Sequence, residues 1–127
     1  MNSLTALIIE DDLLNSQMTK DLLQYKSIQS FIAHDLDKAL EILEIRAINL
    51  IITDYTMPRM SGCEFLRNLP EKFRDIPVIF VSGSHDPEKK NEAKSLGAID
   101  YLEKPVSPIK LFAAISKIEN KLSVCEQ

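Results

Sequence analysis

Four short apolar runs, each leading to a polar and chemically useful residue, constrain this chain more than anything else in it. Ala6-Leu7-Ile8-Ile9 runs into Glu10-Asp11-Asp12, Leu50-Ile51-Ile52-Thr53 into Asp54, and Val78-Ile79-Phe80-Val81 into Ser82-Gly83-Ser84; Ile99-Asp100-Tyr101-Leu102-Glu103 leads to Lys104-Pro105. Short apolar runs that alternate with helical patterns read as strands of a parallel sheet. Open sheets of this kind bind ligands outside the carboxyl ends of their strands. Carboxylates, a hydroxyl and an amine are therefore expected on one sheet edge. That composition suits a divalent cation and a phosphoryl group.

Strand and helix patterns alternate five times along the chain. Strands are predicted over Leu4 to Ile9, Ile28 to Ala33, Asn49 to Thr53, Pro77 to Val81 and Ile99 to Leu102. The third is apolar on both faces, as a central parallel strand should be. Helix one is predicted from Leu13 to about Tyr25 with Leu14, Met18 and Leu22 as its buried face, and helix two from Leu36 to Arg46 with a stripe of Leu36, Ala39, Leu40 and Leu43. Helix three spans Ser61 to Leu69, before Pro70, and helix four about Pro87 to Leu96, where Gly97 supplies a stop. Helix five begins at the cap Ser107 and Pro108 and runs to about Leu122, burying Leu111, Ile115, Ile118 and Leu122. Helix four has only Ala93 and Leu96 as obvious anchors, so it should be loosely held. The expected architecture is a flavodoxin-like, doubly wound α/β sandwich, with strand order 2-1-3-4-5 if the order reverses at strand one. One domain is expected over residues 1–127, with a frayed tail from Ser123 to Gln127.

A chain of 127 residues with net charge −4 and no long basic run argues against direct contact with nucleic acid. Cys63 and Cys125 lack metal-site spacing and suggest no disulfide framework, which fits a reducing cytoplasm. No basic segment followed by a long apolar stretch opens the chain, so no signal peptide is expected. No run approaches the roughly 20 apolar residues of a membrane-spanning helix.

Each site residue has an ordinary reading beside its functional one. An Asp at the start of a helix is usually a cap, and Asp12 is assigned that role. Glu10 and Asp11 are assigned to a hard cation, because Asp54 should lie beside them at the switch point of the sheet. Three converging carboxylates resist joint ionisation. A bound magnesium relieves that repulsion and leaves Asp54 able to act as a nucleophile. Ser82 is either a turn residue or a hydroxyl donor to a phosphoryl oxygen. Most lysines are solvated surface charges, but Lys104 follows a strand that aims it at the acids. There its cation would neutralise charge on a transferring group.

Together these positions resemble the receiver domain of bacterial two-component response regulators, of the chemotaxis-regulator kind. The resemblance is carried by Ile8-Ile9-Glu10-Asp11-Asp12, Thr53-Asp54-Tyr55-Thr56-Met57-Pro58 with Gly62, Pro77-Val78-Ile79 leading to Ser82-Gly83, and Asp100-Tyr101-Leu102-Glu103-Lys104-Pro105. It covers essentially the whole chain. It implies that Asp54 is the phosphoacceptor, that Glu10, Asp11, Asp54 and the backbone carbonyl of Thr56 bind Mg2+ (or Mn2+), and that Lys104 and Ser82 contact the phosphoryl group. Tyr101 becomes the aromatic switch that follows Ser82, and the Lys104-Pro105 bond is expected to be cis. The implied partners are a sensor histidine kinase or histidine phosphotransfer protein and an unspecified downstream effector. The domain would act as a monomer or a phosphorylation-dependent dimer, signalling rather than turning over a substrate beyond its own phosphorylation and slow dephosphorylation. Slow loss is expected because neither Thr56 nor Ser84 is a carboxylate or amide able to orient water.

Two enzymatic or cofactor-binding rivals and one binding rival stand against this reading. An aspartate-nucleophile phosphatase would want a second acid where Thr56 stands. A flavin-binding flavodoxin-like protein would want a Ser/Thr/Gly-rich phosphate loop where Glu10-Asp11-Asp12 stands. A docking module independent of phosphorylation would not need every site position filled.

Overall fold

The computed structural model describes residues 4–57 and 61–126, the last of these, 121–126, by their backbone alone. Strands β1 (Thr5–Ile9), β2 (Gln29–Ala33), β3 (Leu50–Asp54), β4 (Val78–Ser82) and β5 (Asp100–Glu103) form one parallel sheet in the order β2-β1-β3-β4-β5. Helices α1 (Leu13–Tyr25), α2 (Leu36–Ile45), α3 (Gly62–Arg67), α4 (Pro87–Ser95) and α5 (Pro108–Glu126) alternate with them. The expected flavodoxin-like sandwich and its strand order are both present.

The period-two alternation of the strands divides the core in two. On one face Leu7, Ile9, Ile51, Phe80 and Tyr101 pack with Ala39, Ile42 and Leu43 of α2, Cys63 and Phe65 of α3 and Ala93 of α4. On the other, Ala6, Ile8, Leu50, Ile52, Ile79, Val81 and Leu102 pack with Leu23 of α1 and with Leu111, Ala114, Ile115 and Ile118 of α5. All residues of β3 and β4 are buried, which is why those runs carry so little polar alternation.

Several boundaries differ from expectation by a residue, and the direction of the shift matters. Asp54 and Ser82 are the last residues of their strands rather than the first beyond them. The ladder extends past both: Tyr55 N–H donates to the Val81 carbonyl at 2.8 Å, and Lys104 N–H donates to the Ser82 carbonyl at 2.7 Å. The site residues thus begin from regular strand geometry. A one-turn 3-10 helix at Glu71–Phe73, not anticipated from the sequence, follows Pro70.

Helix α1 overturns the expected packing face. Leu14 is 71% and Met18 50% exposed, and Leu22 is only partly buried, whereas Ser16, Thr19 and Leu23 face the sheet. Two rows run along this helix, and the more apolar one lies outside. The buried row is the smaller one, which lets the helix approach the sheet closely. Burial leaves no orphan there, because the Ser16 hydroxyl donates to the Leu13 carbonyl at 2.9 Å.

Asp12, Ser107 and Gly97 act as expected, and Asp35, Ser61 and Asp86 add caps that the sequence reading did not single out. Asp12, Asp35, Ser61 and Asp86 cap α1 to α4 with side-chain oxygens that accept backbone N–H groups. Ser107 accepts from Lys110 N–H ahead of Pro108 at the first position of α5. Gly97, at φ +92°, ends α4. Its N–H donates to Lys94 and the Ala98 N–H to Ala93, the paired bonds that close a helix with a left-handed residue. Helix α5 continues to Glu126, past the expected end near Leu122, since Ser123 to Glu126 contains neither Gly nor Pro to stop it. The side chain of Leu122 and the residue Gln127 lie outside the described residues, as does Pro58.

Gly62 is where the fold leaves no room for a side chain. A Cβ there would lie 2.6 Å from Cε1 of fully buried Phe80 and 2.8 Å from the Asp54 carbonyl oxygen. Neither neighbour can yield, one being packed on all sides and the other being backbone at the end of β3. Gly62→Ala is expected to destabilise the protein by about 1–3 kcal/mol, as overpacking generally does. Urea unfolding should show a lower midpoint, and an unchanged midpoint would mean the α3 start can shift freely.

Candidate functional site

The sheet order places β1 directly beside β3, with Ile9 opposite Thr53. The next residues along are Glu10 and Asp54. Both are buried, at 6% and 8% exposure, and exposed Asp11 completes a group in which one carboxylate oxygen from each residue lies within 4.8 Å of the other two.

Each acid is held in place. Glu10 continues the β1–β2 ladder through its N–H to the Ala33 carbonyl at 3.0 Å, and its own carbonyl accepts from His34 Nδ1–H at 3.0 Å. One of its carboxylate oxygens, Oε2, accepts from Asp12 N–H at 3.3 Å. Asp54 Oδ1 accepts from Thr56 N–H at 3.2 Å. Asp12 itself turns away to cap α1 through Asn15 N–H, as its ordinary reading expected.

Lys104 closes the group. Its ammonium lies 3.0 Å from Asp54 Oδ2 and 2.8 Å from Glu10 Oε1. Its backbone N–H is held by the Ser82 carbonyl, and its bond to Pro105 is cis. One cation therefore spans two buried acids while Asp11 stays exposed beside them. Three carboxylates against one ammonium leave an excess of negative charge in a shallow, partly dehydrated recess. Oxygen donors converging in this way fit a hard divalent cation.

Ser82 and Tyr101 are near neighbours joined through a third residue. The Ser82 hydroxyl oxygen accepts from Ser84 N–H at 3.0 Å, and the Tyr101 hydroxyl donates to the Ser84 carbonyl at 3.2 Å. Among the described residues the Ser82 hydroxyl makes no hydrogen bond to Asp54. The two expected switch residues are thus linked through one residue, Ser82 at its N–H and Tyr101 at its carbonyl, although Ser84 had been read only as a tuning position for water. Tyr101 is buried against Tyr55, with ring centroids 5.6 Å apart and edge-to-face. Thr56 is exposed at the mouth of the site, and it carries no acid that could serve as a general acid for a phosphatase.

Comparison with known proteins follows the same lines. A family model described as the response regulator receiver domain matches residues 6–116. The chain is 32% identical over 114 residues to the transcriptional regulatory protein CrdR of Helicobacter pylori, covering 89% of this chain and 54% of that protein. It is 36% identical over 127 residues to a probable cyclic di-GMP phosphodiesterase of Vibrio cholerae, covering 97% of this chain and 28% of that protein. Among solved structures, a response regulator receiver domain protein of Clostridium thermocellum superposes with a TM-score of 0.86 at 29% identity, covering 96% of this chain and 98% of the other. The chain thus spans about half, or less, of the length of these two curated relatives.

The electrostatics of the site make it sensitive to pH. Burial, reinforced by the neighbouring Asp54, outweighs the Lys104 ammonium and raises Glu10 to about 7. Burial works against the Lys104 ammonium, but the Glu10 and Asp54 carboxylates outweigh it and hold Lys104 above the ordinary lysine value. Between the ordinary glutamate value of 4.5 and about 7, the folded protein holds the Glu10 proton more tightly than the unfolded chain does. Stability contributed by this group therefore falls as pH rises through that window. Chelator-treated protein should show a urea midpoint that declines from about pH 5 to about pH 7, and Glu10→Gln should flatten that decline. Equal slopes in the two proteins would remove Glu10 as its source.

Proposed function

This chain belongs to the response regulator receiver domain family, and from that premise we propose that its acidic recess is a phosphoacceptor site. Receiver domains are signalling domains of two-component systems. In this reading Asp54 takes a phosphoryl group from a phosphohistidine on a sensor histidine kinase or histidine phosphotransfer protein. The observation that carries the proposal is the Lys104 ammonium bridging Asp54 and Glu10 beside the exposed Asp11.

The chemistry follows from that arrangement. An Asp54 carboxylate oxygen attacks phosphorus as the bond from phosphorus to the donor imidazole nitrogen breaks, and the imidazole leaves with that electron pair. Mg2+ or Mn2+, held by Glu10, Asp11, Asp54 and the Thr56 carbonyl, would supply charge neutralisation to the phosphoryl oxygens. Lys104 exchanges its contact with Asp54 for one with the phosphoryl group and steadies the same charge from the other side. Ser82 already accepts from Ser84, so its own hydroxyl proton is free to donate to a phosphoryl oxygen. Moving Ser82 loads the Ser84 N–H, and Tyr101 is tied to the carbonyl of that same residue. The segment entering α4 and the α4–β5–α5 surface then respond. A phosphoryl group shifts this population only so far as it makes better contacts in the switched state.

The displaced apolar row of α1 supports a docking role. Exposed Met18 lines a small depression that Leu22 and Val106 share with Glu10 and Lys104, and Leu13 and Leu14 are exposed on the same helix. A protein delivering a phosphohistidine to Asp54 would rest its apolar surface there. Residues 1–127 are read as one receiver domain, working in the cytoplasm as a monomer or phosphorylation-dependent dimer without touching nucleic acid itself. Among the described residues no helix is long and apolar enough to cross a membrane. One relative is named a transcriptional regulatory protein and another a probable cyclic di-GMP phosphodiesterase, so the downstream effector is read as transcriptional or enzymatic.

Incubation with acetyl phosphate and magnesium should give a phosphoryl adduct by intact mass, and Asp54→Asn should abolish it. An adduct that survives in that variant would identify a different nucleophile. The adduct should persist after donor removal, because neither Thr56 nor Ser84 can orient water as a carboxylate or amide would. Rapid loss without a phosphatase would contradict this. Leu14→Glu with Met18→Glu should leave labelling by acetyl phosphate intact but abolish labelling by any donor protein that phosphorylates the parent chain. Equal labelling by that donor would exclude α1 as its seat.

A further inference from the structure

Helix α4 is poorly anchored by apolar packing: Ala93 is its one buried residue, and most of the others are charged. A polar contact supplements it. The Tyr55 hydroxyl donates to Glu92 Oε1, while Glu92 Oε2 lies 3.5 Å from Arg67 Nη2 of α3. Glu92 thus receives one donor from the end of β3 and one from α3.

Tyr55 is well placed to hold a neighbour. It directly follows Asp54, is 5% exposed, and packs edge-on against Phe80 at 5.5 Å and Tyr101 at 5.6 Å between centroids. Its N–H bonds to Val81 at 2.8 Å, and its carbonyl accepts from Gly62 N–H at 2.6 Å. Backbone and ring are both pinned, and only the hydroxyl leaves the apolar core. Burial first, then the Glu92 carboxylate, hold that hydroxyl firmly protonated, so it acts as the donor. The Tyr101 hydroxyl holds the Ser84 carbonyl, where the segment leading to α4 begins. The stretch from Ser84 to Glu92 is therefore tied at both ends by two tyrosines in contact with each other.

We infer that Tyr55 and Glu92 form a latch that seats α4, making the residue next to Asp54 a positioning residue for the helix. The latch is distinct from the Ser82–Ser84–Tyr101 connection, since it reaches α4 in its middle rather than at its entry. Its consequence for signalling rests on the phosphoacceptor reading above, because it sets how readily α4 moves when the recess is loaded. The latch itself does not depend on that reading. Arg67 is not enough to hold Glu92, since exposed ion pairs contribute little. A buried, oriented hydroxyl offers a charge-assisted bond with a fixed direction.

Hydrogen exchange on the full chain, read peptide by peptide, tests this. Tyr55→Phe keeps the ring and its edge contacts but removes the donor. Exchange in α4 should rise roughly threefold to tenfold, the size expected for loss of one such bond, while the β1 and β3 amides keep their rates. Glu92→Ala should match it, and combining the two should add nothing further. Glu92→Gln keeps an acceptor for the hydroxyl but loses the charge facing Arg67, so it should retain most of the protection. Unchanged α4 exchange in Tyr55→Phe would overturn the latch. So would uniform acceleration across the strands, which would indicate general loosening instead. Labelling with acetyl phosphate and magnesium separates the two readings: no adduct in either the parent or Tyr55→Phe would defeat the phosphoacceptor site while leaving the exchange result to decide the latch.

Discussion

The adjacency of β1 and β3 is the constraint on which the rest of this molecule depends. A parallel sheet aligns strand ends, and the order β2-β1-β3-β4-β5 brings the ends of two acidic runs together at its centre. Glu10 and Asp54 consequently sit buried side by side, where water can do little to separate their charges. One ammonium, from the far side of the sheet, answers both. Lys104 bridges both acids, and that same contact occupies Asp54, the residue proposed to react. A site of this kind is poised between two ways of neutralising its acids, one internal and one brought from outside. Burial keeps Glu10 above its ordinary value even beside the Lys104 ammonium.

Much of this was legible in the sequence because parallel strands are buried on both faces. Leu50 to Thr53 and Val78 to Val81 have almost no polar residues to obscure them, so the strands and their reactive ends stand out. Asp12, Ser61 and Ser107 signal helix starts through local chemistry that tertiary packing does not override. Gly62 was noticed only as part of a motif, and its cause is a close approach by Phe80 and the Asp54 carbonyl that no local pattern encodes.

The failures have a shared physical origin. Choosing Leu14, Met18 and Leu22 as the buried face of α1 assumed that the most apolar row faces the core. Ser16 and Thr19 take that place because close approach to the sheet rewards small side chains, and because helix backbone can satisfy a buried hydroxyl locally. Of the row left outside, Met18 and Leu22 line the depression that Glu10 and Lys104 share. Glu92 was not singled out, since nothing in its neighbourhood distinguishes it from Glu88. Its partner lies far away in the chain, beside Asp54.

The construction of α4 suits a surface that must change without unfolding. Apolar packing is non-directional. A hydrogen bond between a pinned hydroxyl and a carboxylate has one good geometry and falls off steeply away from it. With a single buried alanine beneath it, α4 takes its position from directional contacts at Glu92 and at the Ser84 carbonyl. Both donors are tyrosines on the same core face, and their rings touch. A rotation of Tyr101 would therefore remove one tie to this segment and, through the shared ring contact, alter the packing beneath the other. Coupling between recess and helix then needs no deformation of the sheet, only an exchange of hydrogen-bond partners at two points above a rigid core.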